Sequence, residues 1–369
     1  MTVETRPATP LAASVERAVA IAERHAAEAD ATRTLAPEVL DALREAGFSR
    51  HFVGTRWGGR EGSFTDLTRA VMALGAVCPS TAWTASLCAY SSRYAAHLPE
   101  EGHRELWSAG PDAFVVTGLV AAGRAHAVDG GWRLSGRWNY VSGIEFADWA
   151  VLCATATKGD HNEPRFFALA RGSFQILRTW DNAGMRATGS HSALVEDVFV
   201  PDHLTYPRSD MMHGTNAASN AHCHTVPFQA VGGLTFAAPA VGAATGALRA
   251  CAALLGHKRR TVSSDIELVR ASGAVDVSRH LVEQNAEVLD TRAFTPAMMA
   301  RNERNATYAA EQLSDAISNL VRATGTSGLS ESAPVHRFWR DVIGITSHVA
   351  LRYETAVVRT YPPVLFGEH

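Results

Sequence analysis

The sequence predicts a mainly α-helical protein with a β-domain set between two helical ones, and three observations predict it. Apolar residues recur at helical spacing through residues 1–112, short β-rich runs between Gly and Asp turns fill residues 113–225, and helical spacing returns over 226–369. The βαβ alternation of nucleotide-binding sheets is missing. No GxGxxG follows a strand and no GxxxxGK[ST] occurs, so neither a doubly wound dinucleotide fold nor a P-loop is expected.

In the first domain, Val15, Val19, Ile21 and Ala22 mark one helix. PEVLDALREAGF reads as a second, opening on Pro37, whose fixed φ suits a first helical turn, and stopping at Gly47, which tolerates a left-handed exit. Leu67, Val71 and Leu74 mark a third. The middle domain carries FVVTGLV, GWRLSGRWNYVSG, WAVLCATA, FFALA and SALVEDVFVP, which predict a β-barrel or sandwich. The last domain carries FAAPAVGAATGALRACAALLG, IELVRASGAVDVSRHLVEQNAEVL, ATYAAEQLSDAISNLVRAT and HRFWRDVIGITSHVALRYETAV, which predict an antiparallel four-helix bundle. On the last of these helices Asp341 and His348 fall about two turns apart, on one face.

With 369 residues, 46% hydrophobic, the chain can bury a large core. A formal net charge of -3, with both signs interspersed, leaves no cationic face for nucleic acid. No run reaches the ~18 consecutive apolar residues of a membrane span, and MTVETRPATP at the start lacks the order of a secretory signal, so a cytoplasmic location is expected. Cys78, Cys88, Cys153, Cys223 and Cys251 are scattered and never spaced CxxC, and read as packed reduced thiols. His222-Cys223-His224, with His213 and His191 nearby, reads as part of a polar loop over a pocket, and no metal is expected.

Several motifs, in their order, resemble one family: LREAGF, RWGG, PSTAW, GWRLSGRWNYVSG, GMRATGS, VEDVFVP and SAPVHRFWRD. Together they resemble the acyl-CoA dehydrogenase superfamily and, within it, the two-component flavin-dependent monooxygenases. The resemblance implies an acyl-CoA dehydrogenase-like fold assembled as a homotetramer through its C-terminal helices. It also implies reduced FMN or FAD diffusing from a separate NAD(P)H:flavin reductase. With O2 this flavin would form a C4a-hydroperoxide and hydroxylate a small aromatic or heteroaromatic substrate, an activity that needs water excluded and a hydroxyl donor near flavin N5.

Carried over residue by residue, the resemblance gives Ser142 the place at N5 and Thr117 a supporting one on a neighbouring strand. Trp83, Trp138 and Tyr140 would wall the ring. Lys258, Arg259 and above all Arg260 would anchor the flavin phosphates. His348, after the RxxRD motif of Arg337, Arg340 and Asp341, would exchange protons with the substrate. Phenol-hydroxylating relatives carry a second histidine where this chain has Ser91, so a polyketide ring, an indole or an amine nitrogen becomes a candidate substrate, with Tyr90 and Arg93 shaping that side of the pocket. Two other readings stay open. A thioester dehydrogenase would carry its glutamate base nine residues before Asp341; Ser332 stands there, and Glu331 is one residue away. A flavin-free relative would act as a binding protein or non-redox catalyst.

Overall fold

A computed structural model describes residues 11–258, 260–291 and 294–367, apart from the side chains of residues 11–13. Arg259 and the opening MTVETRPATP, both weighed above, lie outside the described residues. The N-terminal part is five helices: α1 (Leu11–Thr32), α2 (Pro37–Ala46), α3 (Phe64–Gly75), α4 (Pro79–Ala95) and α5 (Glu100–Leu106). α2 begins on Pro37 and ends against Gly47 at φ 82°, and Val39, Ala42, Leu43 and Ala46 form its buried face.

Seven strands follow: β1 (Val115–Val128), β2 (Gly131–Val141), β3 (Trp149–Lys158), β4 (His161–Ala170), β5 (Gln175–Leu177), β6 (His191–Pro201) and β7 (Thr205–Pro207). They make one sheet in the order β5-β6-β2-β1-β3-β4-β7. Only β1 and β3 pair in parallel; the other neighbours are antiparallel. A bulge interrupts β2 against β6: Trp138 faces Ala193 and Val141 faces His191, so Asn139 and Tyr140 together oppose Ser192. The extra residue shifts the alternation by one, so Ser142 does not share a face with Trp138 as unbroken pleating would require.

Short helices α6 (Arg208–His213), α7 (His222–Thr225) and α8 (Phe228–Val231) lead into the bundle of α9 (Leu234–Gly256), α10 (Val262–Asp290), α11 (Pro296–Ala323) and α12 (Pro334–Thr346), with α13 (Tyr361–Phe366) at the end. The segment Phe228–Gly256 is long and apolar enough to cross a membrane, contrary to the sequence expectation. It is instead the core helix: 83% of its apolar window is buried inside the protein. Its run of small residues allows close packing. A Cβ on Gly75 of α3 would stand 2.9 Å from the Cα of Gly242, so these two glycines bring α3 and α9 into backbone contact.

The stretch 205–228 is not the open loop expected. His224 Nε2 meets the Phe52 carbonyl at 2.5 Å, Asn216 donates to the Ala96 carbonyl at 2.7 Å, and His222 Nε2 meets the Leu289 carbonyl at 2.6 Å. Two of the histidines considered as metal ligands, with Asn216, thus pin this segment to three different helices or loops.

Candidate active site

The last bundle helix stops earlier than its period suggests. α12 ends at Thr346, where the hydroxyls of Thr346 and Ser347 turn back onto the carbonyls of Val342 and Ile343 at 2.8 and 2.7 Å and compete with the backbone for them. His348 therefore lies beyond the helix, at φ -64° and ψ 139°, and caps the short turn Val349–Leu351. It does not share a helix face with Asp341. Its ring packs on Phe236 of α9, with centroids 3.8 Å apart, and meets Trp83 of α4 edge-on at 5.6 Å.

That position decides the tautomer. His348 Nδ1 lies 3.2 Å from the backbone N of Ala350, and a backbone N–H only donates, so Nδ1 accepts. Burial pushes the ring's pKa down to about 4, so near neutrality the imidazole is uncharged and its one hydrogen sits on Nε2. His348 therefore offers a donor at rest, in place of the two-way proton carrier that an unperturbed histidine would be.

Trp83 joins His348 to the sheet. Its indole N–H donates to Ser142 Oγ at 3.0 Å, and its ring packs on Phe236 at 5.1 Å. Ser142 follows the last residue of β2, and Gly143 after it turns at φ 77° with its N–H on the Thr188 carbonyl at 2.8 Å. Thr117 runs alongside. Its chain neighbours touch the same strip, since a Cβ on Gly143 would lie 3.2 Å from Val116 and one on Gly118 3.1 Å from Trp138. The Thr117 hydroxyl is buried without a hydrogen-bond partner in the chain, and so is that of Thr84, which borders Gly143.

The segment behind Ser142 is held by the RxxRD motif. Met185 N donates to Asp341 Oδ1 at 2.6 Å, and Arg340 bonds the Ala183 carbonyl and, at 2.7 Å, Asp30. A Cβ on Gly184 would overlap the Arg340 carbonyl oxygen, which is why glycine stands there. Burial raises the Asp341 carboxyl to about 6, against the opposing pull of the Met185 N–H and nearby arginines. The motif's aspartate is a structural pin.

Other expected residues lie elsewhere. Trp138 is 1% exposed, donates to the Cys153 carbonyl at 2.6 Å and fills the space over Gly118, Gly123 and Gly136, so it packs the sheet interior. Tyr140, at φ 59° in the bulge, is 74% exposed and meets Trp180 edge-on at 6.2 Å, so it walls nothing within this chain. Arg260 is exposed at the start of α10 and paired with Asp265 at 3.0 Å, and Lys258 donates to the Thr324 carbonyl at 2.8 Å. Neither is a free phosphate anchor. Tyr90 packs its ring against Phe52 and Phe64 at 5.4 and 6.3 Å, while Ser91 is buried within α4. Arg93 is buried on the carbonyls of Cys223 and Val226. Glu331, the base of the dehydrogenase reading, is exposed in the turn before α12.

The site residues fit a flavin on one observation: the buried Thr117 hydroxyl of β1 has no partner in the chain, and Ser142, just past the end of β2, is held by Trp83, whose ring also meets the imidazole of His348. Ser190, Thr188 and Phe236 complete the cluster and were not singled out from sequence. GMRATGS was visible as a motif, but nothing in its spacing tells that its hydroxyls point at Ser142.

The N-terminal helices, the sheet and the helical bundle meet where Trp83 joins Ser142 to His348. Residues 11–105 match the model of the acyl-CoA dehydrogenase N-terminal domain and residues 234–353 that of the acyl-CoA dehydrogenase C-terminal domain, and the chain belongs to the acyl-CoA dehydrogenase superfamily. Within it, the chain is a flavin-dependent monooxygenase of the oxygenase-component branch. It is 28% identical to the flavin-dependent monooxygenase oxygenase subunit HsaA of Mycobacterium tuberculosis, over 100% of this chain and 96% of that one. It is also 28% identical to the FADH(2)-dependent resorcinol hydroxylase oxygenase component of Rhizobium sp., over 95% and 93%. The crystal structure of the HsaA monooxygenase from M. tuberculosis superposes with a TM-score of 0.90 at 26% identity, covering 98% of each chain.

Proposed function

We propose that Ser142, Thr117, Trp83 and His348 form the reaction site, and that the substrate is an aromatic ring bearing a hydroxyl or another acceptor atom. Reduced FMN or FAD, supplied by a separate flavin reductase, would bring two electrons to O2, one oxygen atom entering the ring and the other leaving as water. Ser142 and Thr117 would hold the flavin's reactive edge. Trp83 orients Ser142, and with Phe236 it keeps water from the site. His348, hydrogen-bearing at Nε2, would donate to the substrate's oxygen and so position the ring for oxygen addition.

The single observation that carries this reading is the contact of Trp83 with both Ser142 and His348, which sets a hydroxyl and an imidazole on two sides of one indole. The resorcinol hydroxylase and the p-hydroxyphenylacetate 3-hydroxylase oxygenase component of Acinetobacter baumannii support the substrate class by name. Ser91, with no second imidazole in its place, favours a natural-product ring such as a polyketide or an indole. The test is anaerobic titration with dihydro-FMN and dihydro-FAD, followed by oxygen and a panel of phenols and indoles. Hydroxylated product from at least one of them is expected, and flavin consumed only to H2O2 across the panel would reject the substrate class.

A homotetramer belongs to the same proposal. Val262, Ile266, Val269 and Val277 are exposed at helical spacing along α10, an apolar stripe suited to a second copy. Five buried free cysteines fit a reducing compartment, in keeping with the cytoplasm.

A further inference from the structure

Four hydrogen bonds in series lead from Trp83 to Met185. Trp83 Nε1 is 3.0 Å from Ser142 Oγ, Ser142 Oγ 2.7 Å from Ser190 Oγ, Ser190 Oγ 2.6 Å from Thr188 Oγ1, and Thr188 Oγ1 3.0 Å from the Met185 carbonyl. The ends have fixed roles, because an indole N–H only donates and a carbonyl only accepts. Each hydroxyl between them has one hydrogen. Thr188 gives its hydrogen to Met185 and must therefore accept from Ser190. Ser190, its hydrogen committed to Thr188, must accept from Ser142. Ser142 then donates to Ser190 and accepts from Trp83.

The direction is built into the fold. Met185 is held by Asp341 through its own N–H at 2.6 Å, and its carbonyl also takes the Trp180 indole N–H at 2.9 Å. Thr188 and Ser190 are 1% and 3% exposed, so bulk water does not compete for their hydrogens. Ser142 is left with one lone pair and no free hydrogen. It can accept one more bond and cannot donate.

Flavin N5 presents opposite partners in its two redox states: the reduced ring carries a hydrogen there, the oxidised ring a lone pair. An accept-only hydroxyl bonds the first and sets lone pair against lone pair with the second. We propose that Ser190 and Thr188 are positioning residues that commit the Ser142 hydrogen to the relay, so that the site takes reduced flavin in preference to oxidised. This rests on the assignment of Ser142 to flavin N5.

The test is binding, measured anaerobically for dihydro-FMN and in air for FMN, on wild type, Ser190→Ala and Thr188→Val. Removing either hydroxyl frees the Ser142 hydrogen to meet a lone pair of the flavin. Oxidised FMN is then expected to bind about tenfold tighter, the equivalent of one hydrogen bond, with dihydro-FMN little changed. The ratio of the two dissociation constants should collapse in both variants, while Ser142→Ala should lose affinity on the reduced side. An unchanged ratio in both folded variants, with reduced flavin still bound, would overturn the relay and leave the flavin assignment standing. Wild type binding neither form of FMN nor of FAD would overturn both.

Discussion

Trp83 donates its indole N–H to Ser142 Oγ at 3.0 Å, joining a residue of the fourth helix to the residue that follows the second strand. The same indole lies edge-on to His348 at 5.6 Å, so one side chain sets the spacing of the two groups assigned to the reaction. Trp83→Phe keeps most of the ring and removes the N–H. Flavin binding is expected to persist, while the fraction of reduced flavin lost as H2O2 rises severalfold, because Ser142 loses one of the bonds that orient it. Peroxide release measured beside product formation checks this, and coupling at the wild-type level would show that the bond does not orient the site.

His348 is uncharged at rest, its pKa near 4, with its hydrogen on Nε2. His348→Ala should lower hydroxylation by about a hundredfold while leaving flavin affinity unchanged. The sign of the pH dependence follows from the lowered pKa: protonation of His348 is confined to acid below about pH 4, so the wild-type rate should show no inflection from this residue between pH 6 and 8. An inflection near pH 6.5 that disappears in His348→Ala would contradict the assignment.

Acid should destabilise the fold earlier than its carboxylates alone would predict. Burial lowers His51, His103 and His348 to about 4 and His97 to about 3. Between their ordinary value of 6.5 and these values the unfolded chain takes up protons that the folded chain refuses. Stability is thus fully present above 6.5 and falls with pH, by at most ~1.4 kcal/mol per unit for each histidine. Asp341, raised to about 6, works in the opposite direction over part of the range, as do Asp210 and Glu303, which burial also raises, while His191, His224 and His336, lowered by burial, add to the four histidines. Thermal melting between pH 7 and 4.5 should show a steady fall in Tm, and a flat profile would mean that these rings are not buried uncharged.

Gly184 and Asp341 form a joint between bundle and sheet. Gly184→Ala places a methyl group on the Arg340 carbonyl and should cost about 2–4 kcal/mol, read as a drop in the denaturation midpoint. Asp341→Asn keeps the shape of the side chain, weakens its bond to Met185, and should cost less, about 1–2 kcal/mol. Equal stability of Gly184→Ala and wild type would remove the close approach from the account.

Much of this was legible in sequence because it is local. The limits of α2 follow from Pro37 and Gly47, and the β-rich stretch announces itself by its turn residues. Ser142 and Trp83 could be named because their motifs resemble a family's. What escaped depends on single insertions and on contacts distant in the chain. One extra residue at Tyr140 turns Trp138 into the sheet, and two hydroxyls at Thr346 and Ser347 end a helix that its apolar period would have carried through His348. Arg260 reads as a phosphate anchor until Asp265 is seen to hold it. The hydroxyls of Thr188 and Ser190 gain meaning only when folding brings them behind Ser142.

The most direct test of the site is a single turnover. Wild type and Ser142→Ala, each loaded anaerobically with dihydroflavin and an accepted phenol, are mixed with oxygen, and hydroxylated product and H2O2 are counted from the same quench. Wild type should convert most of its flavin equivalents to product, and Ser142→Ala should bind substrate normally yet release most of them as H2O2. Equal product yields from the two proteins would contradict the account.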